Sequence, residues 1–295
     1  MKKIISLMLC LIMLCSFGSA FAANEFSGEA RAVIGANLTE DQINSVYDIF
    51  SVQRGSVPEL TVTNQEERSY LEGFVDSSLI GTNSISCVYI EVLPEGEGLQ
   101  IATQNISWCT QEMFVNALVT AGISDAKIIV AAPFSVSGTA AMTGIYKAYE
   151  DITGNKIDEA VKLLGTQELV ITGELADQIG SYDAVEIVNE LKLILSETEK
   201  MSDEELKAQI EAIAKQYGVN LVDSQYDQLI TLCRAFEKMD ANELKEKVEY
   251  VQETAKKLAD AQEKVTGITQ KVKDVVETVK TLVERISSLF SAFKK

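Results

Sequence analysis

Proline occurs three times in this chain of 295 residues, at Pro58, Pro94 and Pro133, and residues 134–295 contain none. Proline removes a backbone donor and clashes with the preceding helical turn, so so long a stretch without it is free to be helical throughout. The asymmetry divides the chain into a mixed first half and a helical second half. The expected fold class is α+β: a small mixed sheet with a β-hairpin and packed helices, then an all-helical half ending in a long coiled-coil-like helix.

Within the first half, Thr39 or Asn37 caps a helix through Ile43, Val46, Tyr47 and Phe50. A short extended piece, Leu60 to Thr63, leads to Asn64, read as the cap of a helix through Tyr70, Leu71 and Phe74 with Glu67 at the capping-box position. Strands Ser84 to Leu93 and Leu99 to Ser107 flank the turn residues Pro94 to Gly98, which predicts a hairpin. Thr110 caps the next helix and Gly122 stops it. Lys127 to Ala132 is apolar throughout, as a strand covered on both faces would be. The second half reads as helices over Ile157 to Leu164, Leu169 to Ile179, Asp183 to Ser196, Asp203 to Tyr217 and Asp223 to Met239. Gly35 to Gln42 and Gly218 to Gln225 share Gly, Asn, Leu and Gln in register, a pattern that a capped helix after a left-handed glycine explains as well as a repeat does.

The N-terminus has the form of a secretory leader. Lys2 and Lys3 precede an apolar run from Ile4 to Phe17, and the small-x-small triplet Ala20-Phe21-Ala22 places cleavage between Ala22 and Ala23. That run is shorter than the roughly 20 residues a bilayer core requires. A secreted or envelope-associated chain without a transmembrane segment in its mature form is therefore expected. The domains expected are a leader over 1–22, an α/β head over 23–155, a helical domain over 156–240 and a long amphipathic heptad helix over 241–295.

Acidic residues outnumber basic ones 44 to 26. Such a surface repels phosphate backbones, so nucleic acid is not an expected partner. The tail from Ala241 is nearly balanced and carries the clearest period in the chain. Steps of four and three from Leu244 through Val248, Val251, Ala255 and Leu258 to Phe293 land on apolar residues everywhere except Gln262 and Thr269. About 50 helical residues at 1.5 Å each would span roughly 75 Å, so this helix must project, fold back at Gly267 or pair with another chain. Self-association or an envelope protein partner is the expectation. Phe290, Phe293, Lys294 and Lys295 make peripheral membrane contact the rival reading.

Chemistry is narrowed by the absence of histidine. Ser-His and Cys-His hydrolysis, histidine acid-base catalysis and most zinc sites are excluded, and neither metal nor cofactor is expected. Asp151 to Asn155 resembles a calcium loop only in composition, since its glycine is out of register; a helix ending at Gly154 is the favoured reading. Cys87, Cys109 and Cys233 would survive leader removal. A hairpin centred near Gly96 sets Cys109 too far along for a bridge to Cys87, so free, buried thiols are expected. The candidate ligand-binding loop is Ser135, Ser137, Gly138 and Thr139, between a strand and a helix, where exposed amides attract an anion. It lacks P-loop, dinucleotide and nucleophile-elbow spacing. Lys147, a conceivable base for a serine, belongs to the third turn of that helix. Helix capping by the hydroxyls is the favoured role of the loop.

The runs Asn64 to Leu71, Ile80 to Ser86, Asn105 to Thr110 and Ala131 to Glu150 resemble the YpuA-type secreted proteins of Gram-positive bacteria, a domain-of-unknown-function family (DUF1002). The resemblance extends to about Met239, and its specific parts are the run around Trp108 and the segment Ala132 to Tyr149. It implies a bacterial envelope or extracellular setting and transfers no activity. The expected function is a non-catalytic binding or scaffold protein acting through the C-terminal helix. The alternative is a histidine-independent hydrolase or small-ligand-binding protein using residues 135–139.

Overall fold

A computed structural model of the chain describes residues 29–72, 80–254 and 256–257. The leader, with Ala22 and Ala23, and the seam from Leu258 onward lie outside the described residues.

Five strands, β1 (Ala30–Gly35), β2 (Glu59–Val62), β3 (Cys87–Val92), β4 (Leu99–Ile106) and β5 (Ala126–Val136), form one sheet in the order β2-β1-β3-β5-β4. Helix α1 (Glu40–Phe50) joins β1 to its parallel neighbour β2, and α2 (Asn64–Leu71) follows β2. Helix α3 (Gln111–Thr120) joins β4 to its parallel neighbour β5. Between these two parallel pairs lies β3, antiparallel to both β1 and β5.

The expected hairpin does not form. Strands β3 and β4 are where the alternation put them, but β5 is inserted between them. Asp125, just before β5, explains why: its carboxylate accepts from the amides of Gly96 and Gly98 at 3.0 and 2.8 Å, and its carbonyl accepts from Leu93 at 3.1 Å. The Pro94–Gly98 turn is thus wrapped around the start of β5 instead of closing β3 onto β4. Strand β1 went unread because Ala30, Arg31 and Ala32 dilute its β pattern.

The two sheet faces are covered differently. On one, Ala32, Ile34, Cys87, Tyr89 and Ala131 pack under Val46, Tyr47 and Phe50 of α1. On the other, Val33, Val88, Ile90, Ile128 and Val130 meet α3 and α4 (Thr139–Thr153). Strand β5 is apolar on both sides, as expected. It continues through Pro133, which sits where the β4 register jumps from Gln104↔Ala131 to Ile106↔Val136 and no ladder donor is required.

The helical half contains α5 (Glu159–Ile179), α6 (Asp183–Leu193), α7 (Leu195–Thr198), α8 (Asp203–Gln216), α9 (Asp223–Phe236) and α10 over 241–254. Helix α5 is continuous where two helices were expected. Gly165 does not break it; a Cβ there would stand 2.7 Å from both the Ala117 carbonyl and the Tyr146 hydroxyl, so the glycine lets α5 approach α3 and α4. One buried cluster runs from Val33 in the sheet through Leu169, Leu191 and Phe236 to Val251 in α10.

The paired sequences at Gly35 and Gly218 have different causes. Gly218 is left-handed at φ 70. At Gly35 the constraint is space: a Cβ would lie 2.4 Å from the Ser84 carbonyl oxygen. The shared glutamines serve capping, since the side chains of Gln42 and Gln225 accept from the amides of Thr39 and Val222. Gly35→Ala is expected to cost about 1–3 kcal/mol by overpacking against backbone that cannot rotate away, read as a lower urea midpoint with an unchanged slope.

Candidate functional site

The segment singled out for ligand binding is arranged differently from a loop of capping hydroxyls. Ser135 is an exposed residue of β5. The N-cap of α4 is Gly138, left-handed at φ 98, and no side chain caps the helix. A Cβ at Gly138 would lie 2.5 Å from Cγ2 of Ile106, because the chain after β4 runs alongside and the Cys109 amide donates to the Ser137 carbonyl. Ser137, Gly138 and Thr139 face one cavity and Ser135 does not, and no hydroxyl of the segment caps the helix.

Thr139 turns its hydroxyl to another helix. Its Oγ1 donates to Oε1 of Glu67 at 2.6 Å, and the Ser137 hydroxyl lies 3.2 Å from Thr139 Oγ1. Glu67 comes from α2, whose start the sequence reading set one residue late. Thr63 is the N-cap and Glu66 the capping-box acid, bonded to the Thr63 amide at 2.8 Å. That one-residue shift frees Glu67 from capping and turns it inward, where it is 1% exposed. Its second oxygen accepts from the Asn64 amide at 3.3 Å. Burial pushes the carboxyl up to about 7, against the opposing effects of the Thr139 and Asn64 hydrogen bonds and the Arg68 charge.

Glu67, Ser137, Gly138 and Thr139 share the wall of a cavity of about 380 Å³ with Asn83 and Ser86, and among the described residues no lysine or arginine lines it. Arg68 bonds the Asn64 side chain at 3.0 Å and the Gly81 carbonyl at 2.6 Å. Lys147 is bound to Glu66 and the Thr61 carbonyl at 2.6 and 2.7 Å, so it is committed to the β2–α2 connection. Cys87, Cys109 and Cys233 are free and buried, and burial raises all three thiols, Cys233 to about 11. Thiols held protonated in this way are poor nucleophiles. The expectation of free thiols holds, although the hairpin geometry behind it does not.

Two other buried acids contrast with Glu67. Glu150 meets Lys162 at 2.7 Å and Lys156 at 2.9 Å, beside the helix end at Gly154 that the sequence anticipated. Glu168 meets Lys192 at 2.5 Å with both side chains at 0% exposure, and the Lys192 ammonium also reaches the Asn116 carbonyl at 3.0 Å.

The first seam residues of the tail are used inside the molecule. Leu244, Val248 and Val251 are buried in the main core. Tyr250 donates its hydroxyl to Asp125 at 2.6 Å and accepts from the Gly96 amide at 2.7 Å. Burial alone would raise the Asp125 carboxyl, but the bonds from Tyr250, Gly98, Ser124 and Gly96 outweigh it and hold it below the ordinary value. Thr254 packs where a Cβ on Gly98 would stand. The turn that wraps β5 is also the seat of α10.

Residues 34–254 match a family described as "Protein of unknown function (DUF1002)". The chain belongs to the DUF1002 family. It is 37% identical over 242 residues to a Bacillus subtilis (strain 168) relative printed as "Uncharacterized protein YpuA", covering 81% of this chain and 83% of that one. No solved structure matches. The DUF1002 match takes in Glu67, the Ser137–Thr139 segment and the Asp125–Tyr250 latch, and it ends at residue 254. The seam from Leu258 to Phe293 lies beyond it. Among the described residues no helix is long and apolar enough to cross a membrane.

Proposed function

We propose that this DUF1002 protein is an exported, non-catalytic binding protein of the bacterial envelope, whose sheet-and-helix body carries a C-terminal helix for association with a second copy of itself or an envelope protein. The leader pattern at residues 1–22 supports export. The observation that carries the reading is the seating of α10: three seam residues are locked into the core and Tyr250 is latched to Asp125. This seating fixes the place on the body from which the remaining seam residues of the sequence continue.

The test compares the chain lacking its leader with a version ending at residue 257, which retains Leu244, Val248 and Val251. A cut at Met239 would remove those core residues and confound association with folding. Sedimentation and cross-linking in intact cells are expected to show a complex with the full tail and none with the shortened form. Val272→Asp with Val279→Asp should abolish the complex while leaving the unfolding midpoint of the body unchanged. Association that survives both changes would refute the role of the tail.

A further inference from the structure

We infer that the cavity walled by Glu67, Ser137 and Thr139 binds a small organic ligand through a primary ammonium group. This goes beyond the tail-mediated role and does not depend on it. The reason lies in how Glu67 differs from the buried acids Glu150 and Glu168. Glu150 and Glu168 each have a lysine within 3 Å, whereas the partners of Glu67 are a threonine hydroxyl and an asparagine amide. A buried carboxylate without a cation is costly once ionised. Here the missing charge coincides with a cavity, and a ligand cation entering it would occupy the place that Lys162 and Lys192 fill elsewhere.

The surroundings fit an ammonium better than the alternatives. Beside Glu67, Ser86 and Asn83 line the cavity, and both residue types carry a side-chain oxygen able to accept N–H donors. An anionic ligand would find no lysine or arginine among the described residues of the wall. A volume of about 380 Å³ falls at the lower end of small-molecule sites, which begin near 300 Å³. One carboxylate among the described lining residues makes a poor divalent-cation cage.

Binding should be linked to protonation. The charged groups around Glu67 are Arg68 on its own helix, tied to Asn64 and Gly81; Lys147 of α4, paired with Glu66; and the buried Cys109 thiol after β4, which stays neutral. Within this cluster burial raises the Glu67 carboxyl to about 7, inside the range from pH 5.5 to 8. An ammonium ligand selects the ionised form, so its affinity should fall about tenfold per pH unit below that value.

The probe is 2-aminoethanol, added to the full chain lacking its leader and followed by amide chemical shifts, with ethylene glycol as the neutral control. At pH 8 the expected result is saturable shifts at residues 137–140 with a dissociation constant of about 1–10 mM, and none with ethylene glycol. At pH 5.5 the affinity should be more than tenfold weaker. Glu67→Gln keeps an acceptor for Thr139 and should fold, yet lose at least tenfold in affinity at pH 8 together with the pH dependence. No saturable shift by about 50 mM, an equal response to ethylene glycol, shifts located elsewhere, or wild-type binding by Glu67→Gln would each overturn the assignment.

Discussion

Lys192→Met is expected to lower the stability of the body by about 3–5 kcal/mol near neutral pH. The substitution keeps an unbranched apolar stem of similar length and removes the ammonium that stands 5.5 Å from the Phe236 ring centroid. What it removes is the only cation paired with the Glu168 carboxylate in a site at 0% exposure, leaving the Thr120 hydroxyl at 2.5 Å as that carboxylate's remaining hydrogen-bond donor. An uncompensated charge in a dry interior costs more than the pair itself contributes. Replacing both partners, Lys192→Met with Glu168→Leu, should recover most of the stability, because the desolvation cost disappears with the charges. Urea unfolding of the three variants measures this directly; equal losses in the single and double variants would show that the pair is not the source. The site joins α5, α6 and the Asn116 carbonyl of α3, so the single variant is expected to loosen the helical layer first.

Glu67 sets the second large effect, and its sign is opposite to that of ordinary acid denaturation. The ordinary glutamate value is 4.5 and the folded value about 7. Below 4.5 both states hold the proton and the folded state bears no penalty. As pH rises from 4.5 to 7 the unfolded chain ionises first, and stability falls by about 3 kcal/mol before levelling off. Glu67→Gln should remove this decline and leave the protein about 3 kcal/mol more stable than its parent at pH 8, with little difference at pH 4.5. Glu66, Asp125, Glu150 and Glu159 have lowered carboxyls, so their contributions are lost only as pH drops below the ordinary carboxylate range. The two windows do not overlap. Unfolding curves of parent and variant at pH 5 and pH 8 suffice, and parallel curves across that range would exclude a buried, late-titrating Glu67.

Much of the local structure was legible. Thr39 and Thr110 cap the helices assigned to them, Gly154 ends α4, and the apolar run at 127–132 is a strand with both faces covered. These features depend on neighbours a few residues apart. The errors share a different origin. The hairpin failed because Asp125 holds the turn at a distance of about thirty positions along the chain, and turn chemistry alone contains no term for an intruding strand. The capping role of residues 135–139 failed because Gly138 is squeezed by Ile106 from the neighbouring strand. The continuous α5 was divided because glycine lowers helix propensity, while at Gly165 tertiary contact requires it.

The candidate site was the least legible part. Thr63 and Asn64 are both good caps, and each brings a glutamate into the capping-box position. Choosing Asn64 assigned Glu67 to the capping box, whereas Thr63 leaves it for the interior. No rule of local propensity separates the two, because the energies of alternative caps differ by less than the packing they permit.

By itself the sequence determined the class of the chain, the helical character of the described second half after Val136, most element positions, the exclusion of histidine chemistry and the kinship with DUF1002, because these follow from composition, periodicity and contacts near in the chain. Only the tertiary structure decided which strand pairs with which, which acid is buried without a cation and where the tail is seated. Those outcomes depend on residues brought together from distant positions, Glu67 with Thr139 and Asp125 with Tyr250, and their energies arise from burial, which no single segment possesses before the chain has folded.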